Sequence, residues 1–561
     1  MNEHGTQGNS ENNPGILPVA PHGVNVRETF FMIKVFPVIP FDTYFPPMNE
    51  PTFPLDRTLR QEILLARERV YRFGSPTPLN RLVLPDPGPE IWVKREDLSA
   101  IKSYKWRGAC NRMALLSKNQ RNCGVVTASA GNHAQGVALA ARALDIKARI
   151  YMPRSTPRVK QDAVIHHGGE WVEVILSGDA YDDAVQSALQ DVESSGATYI
   201  HAYDDLHVMA GQGTLADEVV LSGHGPFDAA FLQIGGGGLA AGVSTWLKSY
   251  WPEIHITGVE AQGQASMSAA LTEGRPVSLD QVDLFCDGTA VRKAGALPFE
   301  ICQSSLDNII TVSNEEVCHA IRALWEGLRC IAEPAGALGL AGALRQARHW
   351  QGRKILVVLC GANIDFLQIG HVAQSLGASS GSTSTLRIRL PEHPGAMLDL
   401  LDKCFAGLNI VDFQYGKTHE SLAHPIFTIS ADNPNAVHAL PETLSNHGYE
   451  WQELTGAADV RFRAIPLRGD LLRHPAFLRL DFYDRPGALH DFLARRIRDL
   501  ANICYFNYRQ SGERIGRALI GLEFPSSYER EAFLLALPPQ GEGYRLCEPV
   551  PLETSTRILG Q

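Results

Sequence analysis

The chain has 561 residues, of which 44% are apolar and 20% charged, enough for several domains and too apolar for disorder along its whole length. Lys and Arg number 51 against 61 Asp and Glu, a net charge of −10, which gives no electrostatic argument for nucleic acid or an anionic membrane as partner. Ten cysteines without a CxxC pair argue against a disulfide framework or a structural zinc site and favour reduced thiols in an intracellular protein.

Residues 1–55 read as a flexible extension rich in Asn, Gly and Pro. Its most apolar stretch, Phe30 to Phe41, is interrupted by Lys34, Pro37 and Pro40, and no run in the chain approaches the roughly 20 residues needed to cross a bilayer. Glu3, Glu11 and Glu28 against Arg27 make a poor secretory or transit signal. A cytoplasmic location is expected, with a mitochondrial one as the alternative.

From about residue 88 to 370, short β-branched runs alternate with Ala-rich helical stretches. "GVVTA" (124–128) precedes "NHAQGVALAARAL" and "ARIYM" (148–152). "EWVEVI" (170–175) precedes a helix from Tyr181 and then "TYIHA" (198–202). "AAFLQI" (229–234) runs through glycines into "LAAGVSTWLKSY" and "HITGVEA", and "KILVVLCG" (354–361) closes the series. Apolar strands each followed by a helix predict an α/β fold with parallel sheets covered on both faces.

At "GASSGSTST" (377–385) the composition becomes that of a linker. Beyond it the chain repeats itself. Residues 386–420 resemble 478–513, with Pro394-Gly395-Ala396 answering Pro486-Gly487-Ala488 and Tyr415 answering Tyr508. Each copy reads as strand, Pro-Gly turn, amphipathic helix and strand, one half of a small α+β domain. The expected domains are therefore a catalytic unit over 56–376, the linker, and two regulatory units over 386–457 and 476–555.

Three segments carry chemistry. The glycines of "GGGGLAAG" (235–242) stand where a strand meets a helix, so the backbone can approach a ligand closely and free N–H groups attract an anion. A phosphate suits that loop best. A dinucleotide fingerprint (Gly235, Gly237, Ala240) and a tight structural turn stay open, although the only acidic residue at the right distance is Glu260. "TASAGNHAQG" (127–136) is a second strand-to-helix loop whose donors suit a carboxylate or a cofactor edge, with simple helix capping by Ser129 as the alternative. His133 has no second ligand at helical spacing, so no metal site is expected. In "AIKSYKWRGAC" (100–110), Lys105 begins a helix, where the macrodipole and partial burial lower an amine's pKa and make it nucleophilic towards an aldehyde. A surface role for Lys105 remains open on physics alone. Lys102 has no such argument and is expected in solvent.

In this order, "SYKWRGA", "SAGNHAQG" and "GGGGLAAG" resemble the motifs of the threonine dehydratases, fold-type II pyridoxal-phosphate enzymes. The resemblance continues through "GVEAQGQAS", "DGTAVRKAG", "IAEPAGALGLAG" and "LCGANIDF", and the tandem repeat resembles the ACT-like regulatory pair of the biosynthetic form. It implies two α/β subdomains of tryptophan synthase β type and deamination of L-threonine to 2-oxobutanoate and ammonia, the first committed step of isoleucine biosynthesis. It further implies that Lys105 forms the Schiff base with pyridoxal 5′-phosphate and serves as base at the substrate Cα. By the same resemblance Gly235, Gly236, Gly237, Gly238 and Leu239 cradle the phosphate and Asn132 bonds the cofactor's ring oxygen. Ser129, Ala130, Gly131, Asn132 and His133 hold the substrate, and Cys360 faces the pyridine nitrogen.

Departures from the family pattern accompany the match. Cys360 stands where these enzymes usually have serine and serine dehydratases have cysteine, and Lys102 and Trp106 also differ, so serine or another β-hydroxy amino acid is the alternative substrate. Ala130 occupies the place of a second catalytic serine in serine racemases. A catalytically idle, amino-acid-sensing paralogue is the third reading. Isoleucine or valine as effectors and a homotetramer are what the resemblance implies about partners.

Overall fold

The computed structural model describes residues 54–85, 88–379, 383–391, 396–406, 408–414, 421–431, 434–457, 472–483, 492–497, 500–508, 515–541 and 544–558. Nearly all of the expected N-terminal extension lies outside these residues, as do Tyr415 and the two Pro-Gly turns of the repeat. Among the described residues no helix is long and apolar enough to cross a membrane.

Ten strands build the catalytic region: β1 (Leu79–Leu82), β2 (Glu90–Arg95), β3 (Val125–Ala128), β4 (Ala148–Met152), β5 (Val172–Leu176), β6 (Thr198–Tyr199), β7 (Ala229–Gln233), β8 (His255–Ala261), β9 (Asn308–Val312) and β10 (Lys354–Leu359). They form two sheets, a larger one ordered β1-β2-β10-β7-β8-β9 and a smaller one ordered β5-β4-β3-β6. All pairs are parallel except β1 with β2, an antiparallel edge strand that the alternation of segments does not reveal. The larger sheet is covered on both faces, as its apolar strands predict. In β7, Ala230 and Leu232 enter one hydrophobic core and Ala229 and Phe231 the other; β10 divides Leu356 and Val358 from Ile355, Val357 and Leu359 in the same way.

Three expectations shift. "TYIHA" pairs only at Thr198–Tyr199, because the imidazole of His201 accepts from the Tyr203 and Asp204 amides and turns the chain. In "EWVEVI" the chain makes a short 3-10 turn through Trp171, and the strand runs instead over Val172–Leu176 at a partly exposed sheet edge. The expected linker 377–385 is helical through Ser379 and extended again from Thr383, since Thr383, Ser384 and Thr385 pair with Ser430, Ile429 and Thr428.

Each C-terminal repeat is a four-stranded antiparallel sheet. Thr383–Ile388, Asn409–Gln414, Ile426–Ser430 and Trp451–Glu453 are arranged second–third–first–fourth. Pro475–Tyr483, Asn502–Tyr508, Ile515–Glu523 and Leu546–Pro549 adopt the same order. The second strand of each is bulged against the third, between Ile410 and Asp412 and between Ile503 and Tyr505, so the sequence repeat extends to local backbone geometry.

Candidate active site

The site lies at the carboxyl ends of the strands, where open α/β sheets bind their ligands. β3 delivers Ser129, β7 the glycine loop and β10 Cys360 to one cavity of about 350 Å³ and a narrow cleft continuous with it. The cavity is bordered by Lys105, Ser129, Ala130, Gly131, Asn132 and His133; the cleft by Lys105, Asn132, the four glycines, Leu239 and Cys360. Every residue that the resemblance assigns to the cofactor or substrate borders one or the other.

Lys105 is the first residue of the helix Lys105–Ala114. The chain just before it is pinned to the end of β10: Tyr104 N donates to Cys360 O at 3.1 Å and Ala362 N to Lys102 O at 2.9 Å. The Lys105 amine donates to the Ala202 carbonyl at 3.0 Å, and burial lowers its pKa to about 8, against the opposing pull of Cys360 and Glu333. Lys102, by contrast, is exposed, with a left-handed φ of 56°. Arg107 is neither solvated nor in the cavity. It donates to Glu96 at 2.8 and 2.9 Å and to Glu218 at 2.6 and 3.0 Å, while Lys94 reaches the same two carboxylates at 3.2 and 2.5 Å. This buried network holds the first turn of the lysine's helix.

The glycines are required by space. A Cβ on Gly236 would collide with the Tyr203 ring, and Gly237 has φ +94°. Gly238 then starts a helix with no side-chain cap, so its first N–H groups face the cleft. Glu260, the candidate ribose ligand, is consumed elsewhere: it accepts from Met267 N, Ser268 N and Ser268 Oγ at 2.7, 2.9 and 2.6 Å. That removes the acidic partner of a dinucleotide reading.

The second loop likewise leads into a helix start, Asn132–Leu144, without a side-chain cap. Ser129 does not cap it; its Oγ accepts from Gly131 N at 3.3 Å. His133 is buried with Nε2 on the Ile200 carbonyl at 3.0 Å, and burial pushes its pKa down to about 3, so the ring is neutral. Cys360 is also neutral: burial raises its thiol to about 12, and Sγ contacts the Ala335 carbonyl at 3.6 Å.

Sequence reasoning missed Glu333 and Asn363. Asn132 Nδ2 donates to Glu333 Oε1 at 2.6 Å, and Asn132 Oδ1 accepts from Asn363 Nδ2 at 2.7 Å. Asn363 N adds a bond to Glu333 Oε2 at 3.1 Å. Burial, and then the charge of Asp287, raise the Glu333 carboxyl to about 7. The only signal in the sequence is a Glu directly before Pro334 at a helix start, within a motif quoted above for its resemblance alone.

Residues 70–361 match the family model described as pyridoxal-phosphate dependent enzyme. The chain belongs to this family, among the biosynthetic threonine dehydratases. It is 37% identical to the biosynthetic L-threonine dehydratase of Burkholderia multivorans over 80% of this chain and 89% of that one. Against the Escherichia coli protein of the same name it is 36% identical, over 82% and 89%. Among solved structures, processed threonine deaminase isoform 2 of Solanum lycopersicum matches at 37% identity and TM-score 0.55, over 61% of this chain and 98% of that one. Maize serine racemase matches at 30% and 0.52, over 56% and 96%. The fold is thus that of a fold-type II pyridoxal-phosphate enzyme, followed among the described residues by two four-stranded sheets with helices and a short two-stranded one.

Proposed function

We propose that the protein deaminates L-threonine to 2-oxobutanoate and ammonia by β-elimination of water, with pyridoxal 5′-phosphate bound between Lys105 and the glycine loop. The observation that carries the reading is an amine of lowered pKa at a helix start, facing an anion cradle that has no room for a Cβ at Gly236. The site fits the cofactor: a cradle for phosphate, an amine for the aldehyde, and a neutral thiol in the same cleft for the ring nitrogen. Bound there, the cofactor supplies an electron sink for the substrate Cα.

The remaining work falls to side chains and backbone. Lys105 would hold the aldehyde end of the cofactor and is the base placed to take the substrate's Cα proton; a pKa of about 8 leaves a useful neutral fraction near neutral pH. Gly235 to Leu239 present N–H groups to the phosphate. Asn132, its Oδ1 and one N–H committed to Asn363 and Glu333, has its second amide N–H for the ring oxygen. Ser129 and the helix-start amides of Ala130, Gly131, Asn132 and His133 take the substrate carboxylate. The Cys360 thiol, a weak donor, does not fix a proton on the ring nitrogen as a carboxylate would, which favours losing the β-hydroxyl in step with the Cα proton. The two C-terminal sheets form a regulatory pair.

Steady-state assay for 2-oxobutanoate tests the reading. Lys105→Ala is expected to lower turnover by about 10⁴-fold or more. A large preference for serine over threonine would replace this reading with the serine dehydratase that Cys360 allows.

A further inference from the structure

The two sheets of the catalytic region face each other across the active-site cavity, and a nearly buried ion pair joins their lobes there. Lys160 stands on the helix Arg158–Gly168, which follows β4 of the smaller sheet. Asp287 begins the 3-10 turn Asp287–Thr289, beyond β8 of the larger sheet. The Lys160 ammonium donates to Asp287 Oδ2, both side chains are 13% exposed, and both residues border the cavity. The mechanism derived above uses neither.

Each partner is mounted on a packed part of its own lobe, close to Asn132 and Glu333. The helix of Lys160 packs on the helix that Asn132 begins, so closely that a Cβ on Gly168 would lie 3.3 Å from the Ala138 Cβ. On the other side, Thr289 Oγ1 donates to Gln264 Oε1 at 2.9 Å, which fixes the turn to the segment after β8. At Gly288 that turn leaves no room for a side chain. A Cβ there would come within 2.9 Å of the Ala335 Cβ, 3.5 Å of Glu333 Oε1 and 3.9 Å of Asn132 Nδ2. Asp287, one residue earlier, is thereby held beside the Asn132–Glu333 pair.

The two charges act on that pair in opposite senses: Asp287 pushes the Glu333 carboxyl up and Lys160 pulls it down. Lys105, Tyr104, Cys286 and Cys360 are further titratable groups within the field of Glu333. A second ion pair between the lobes, Asp182 with Arg292 at 3.3 Å, lies on the cavity rim with both side chains half-exposed. Solvent screens that pair, whereas the nearly buried bridge is screened far less.

We infer that Lys160 and Asp287 are positioning residues of the reaction: their bridge ties the lobe of Asn132 to the lobe of Glu333, and the pair sets the electrostatic field at those two side chains. The inference rests on the deaminase reading. Asn132 is assigned to the cofactor's ring oxygen and its loop to the substrate carboxylate, so a shift between lobes would part the two halves of the site. The tie acts alike in the bound complex and in the transition state, and therefore belongs to substrate binding rather than to the chemical step. The field acts on a proton. Ionised, Glu333 accepts from Asn132 Nδ2 on one oxygen and from Asn363 N on the other; a proton on either oxygen weakens the bond made there. The balance between Asp287 and Lys160 decides which form prevails near neutral pH.

Infrared titration of the full-length holoenzyme tests the field without needing turnover, so its failure and that of the deaminase assay are distinguishable. The protonated-carboxyl band of Glu333 is identified by its absence from Glu333→Gln. Asp287→Asn is expected to move the midpoint of that band down by about one pH unit or more, and Lys160→Gln to move it up by as much, although both break the same bridge. Opposite signs cannot come from loosened packing or from a partly unfolded sample. Arg292→Gln, at the half-exposed pair, is expected to leave the midpoint in place. Steady-state assay then tests the tie: KM for threonine is expected to rise about tenfold in both bridge variants, with kcat changed by less than about threefold. Midpoints that stay in place or move together, an equal shift in Arg292→Gln, or a KM unchanged in both bridge variants overturns the inference, as does the lack of any band that Glu333→Gln removes.

Discussion

Two buried glutamates flank the helix of Lys105, and their carboxyl groups are driven in opposite directions. Burial alone would raise the pKa of Glu96, but Arg107 and Lys94 outweigh it and hold the carboxyl at about 2. Glu333 is as deeply buried, yet its direct partners are two neutral asparagines; burial, and then the charge of Asp287, outweigh the pull of Lys160, so it rises to about 7. The residue type and the burial match; the neighbours decide. One cluster has every charge answered and serves as a mount. The other keeps a carboxyl near neutrality beside the reacting amine, which is where acid–base chemistry is found.

The comparison breaks first at Arg107. Arg107→Leu leaves Glu96 and Glu218 buried with Lys94 as their remaining cation, and is expected to destabilise the fold by about 3–5 kcal/mol, read as a lower urea midpoint. Activity should fall with the folded fraction and at the same rate. A variant that stays stable but loses turnover would move this cluster from mount to chemistry.

Glu333→Gln sharpens the other side. A glutamine amide can accept from Asn132 or from Asn363 N, not from both, so one hydrogen bond is lost at a cost of about 1–3 kcal/mol. Turnover is expected to drop by about tenfold as Asn132 loses its fixed orientation. The pH dependence distinguishes the two glutamates. With a folded pKa raised to about 7 from 4.5, Glu333 contributes stability that is full below the unfolded value and is lost as pH rises through about 7. With a folded pKa lowered to about 2 from 4.5, Glu96 contributes stability that is full above the unfolded value and is lost as pH falls through about 2. The decline of unfolding stability between about pH 5 and about pH 8 should therefore flatten in Glu333→Gln and persist in Arg107→Leu.

The unequal legibility of these clusters in the sequence follows from distance along the chain. Lys105, Ser129 and the glycines each sit at a strand-to-helix junction, and a junction is a local pattern. The same holds for β7 and β10, whose unbroken apolar runs announce strands covered on both faces. Glu333 meets Asn132 across 201 positions and Arg107 meets Glu218 across 111, and no local pattern encodes such pairs. A lone Glu before Pro334 reads as the start of a helix, which it also is. Arg107, two residues from Lys105, reads as one more cation on an exposed face until the fold brings two glutamates to it. The edge strand β1 escaped for a similar reason: four residues, partly exposed, with no helix before its partner β2.

Cys360 offers the smallest and most discriminating change. It directly follows β10 and lines the cleft beside Glu333, and its thiol, raised to about 12, feels burial first and then the charge of Glu333. Serine is likewise neutral and a weak donor, so Cys360→Ser keeps the electrostatics that separate the two glutamates. Threonine turnover is expected to change by less than about tenfold, and the ratio of threonine to serine kcat/KM by less still, because both substrates share the atoms that meet the cofactor ring. Cys360→Asp is the opposite case. A second buried carboxyl would face Glu333 across the cleft, one of the two would have to hold a proton, and the pH profile of turnover would gain a second limb. A Cys360→Ser enzyme that exchanged its substrate preference would show instead that specificity is set at the end of β10 and not among the residues around the substrate's side chain.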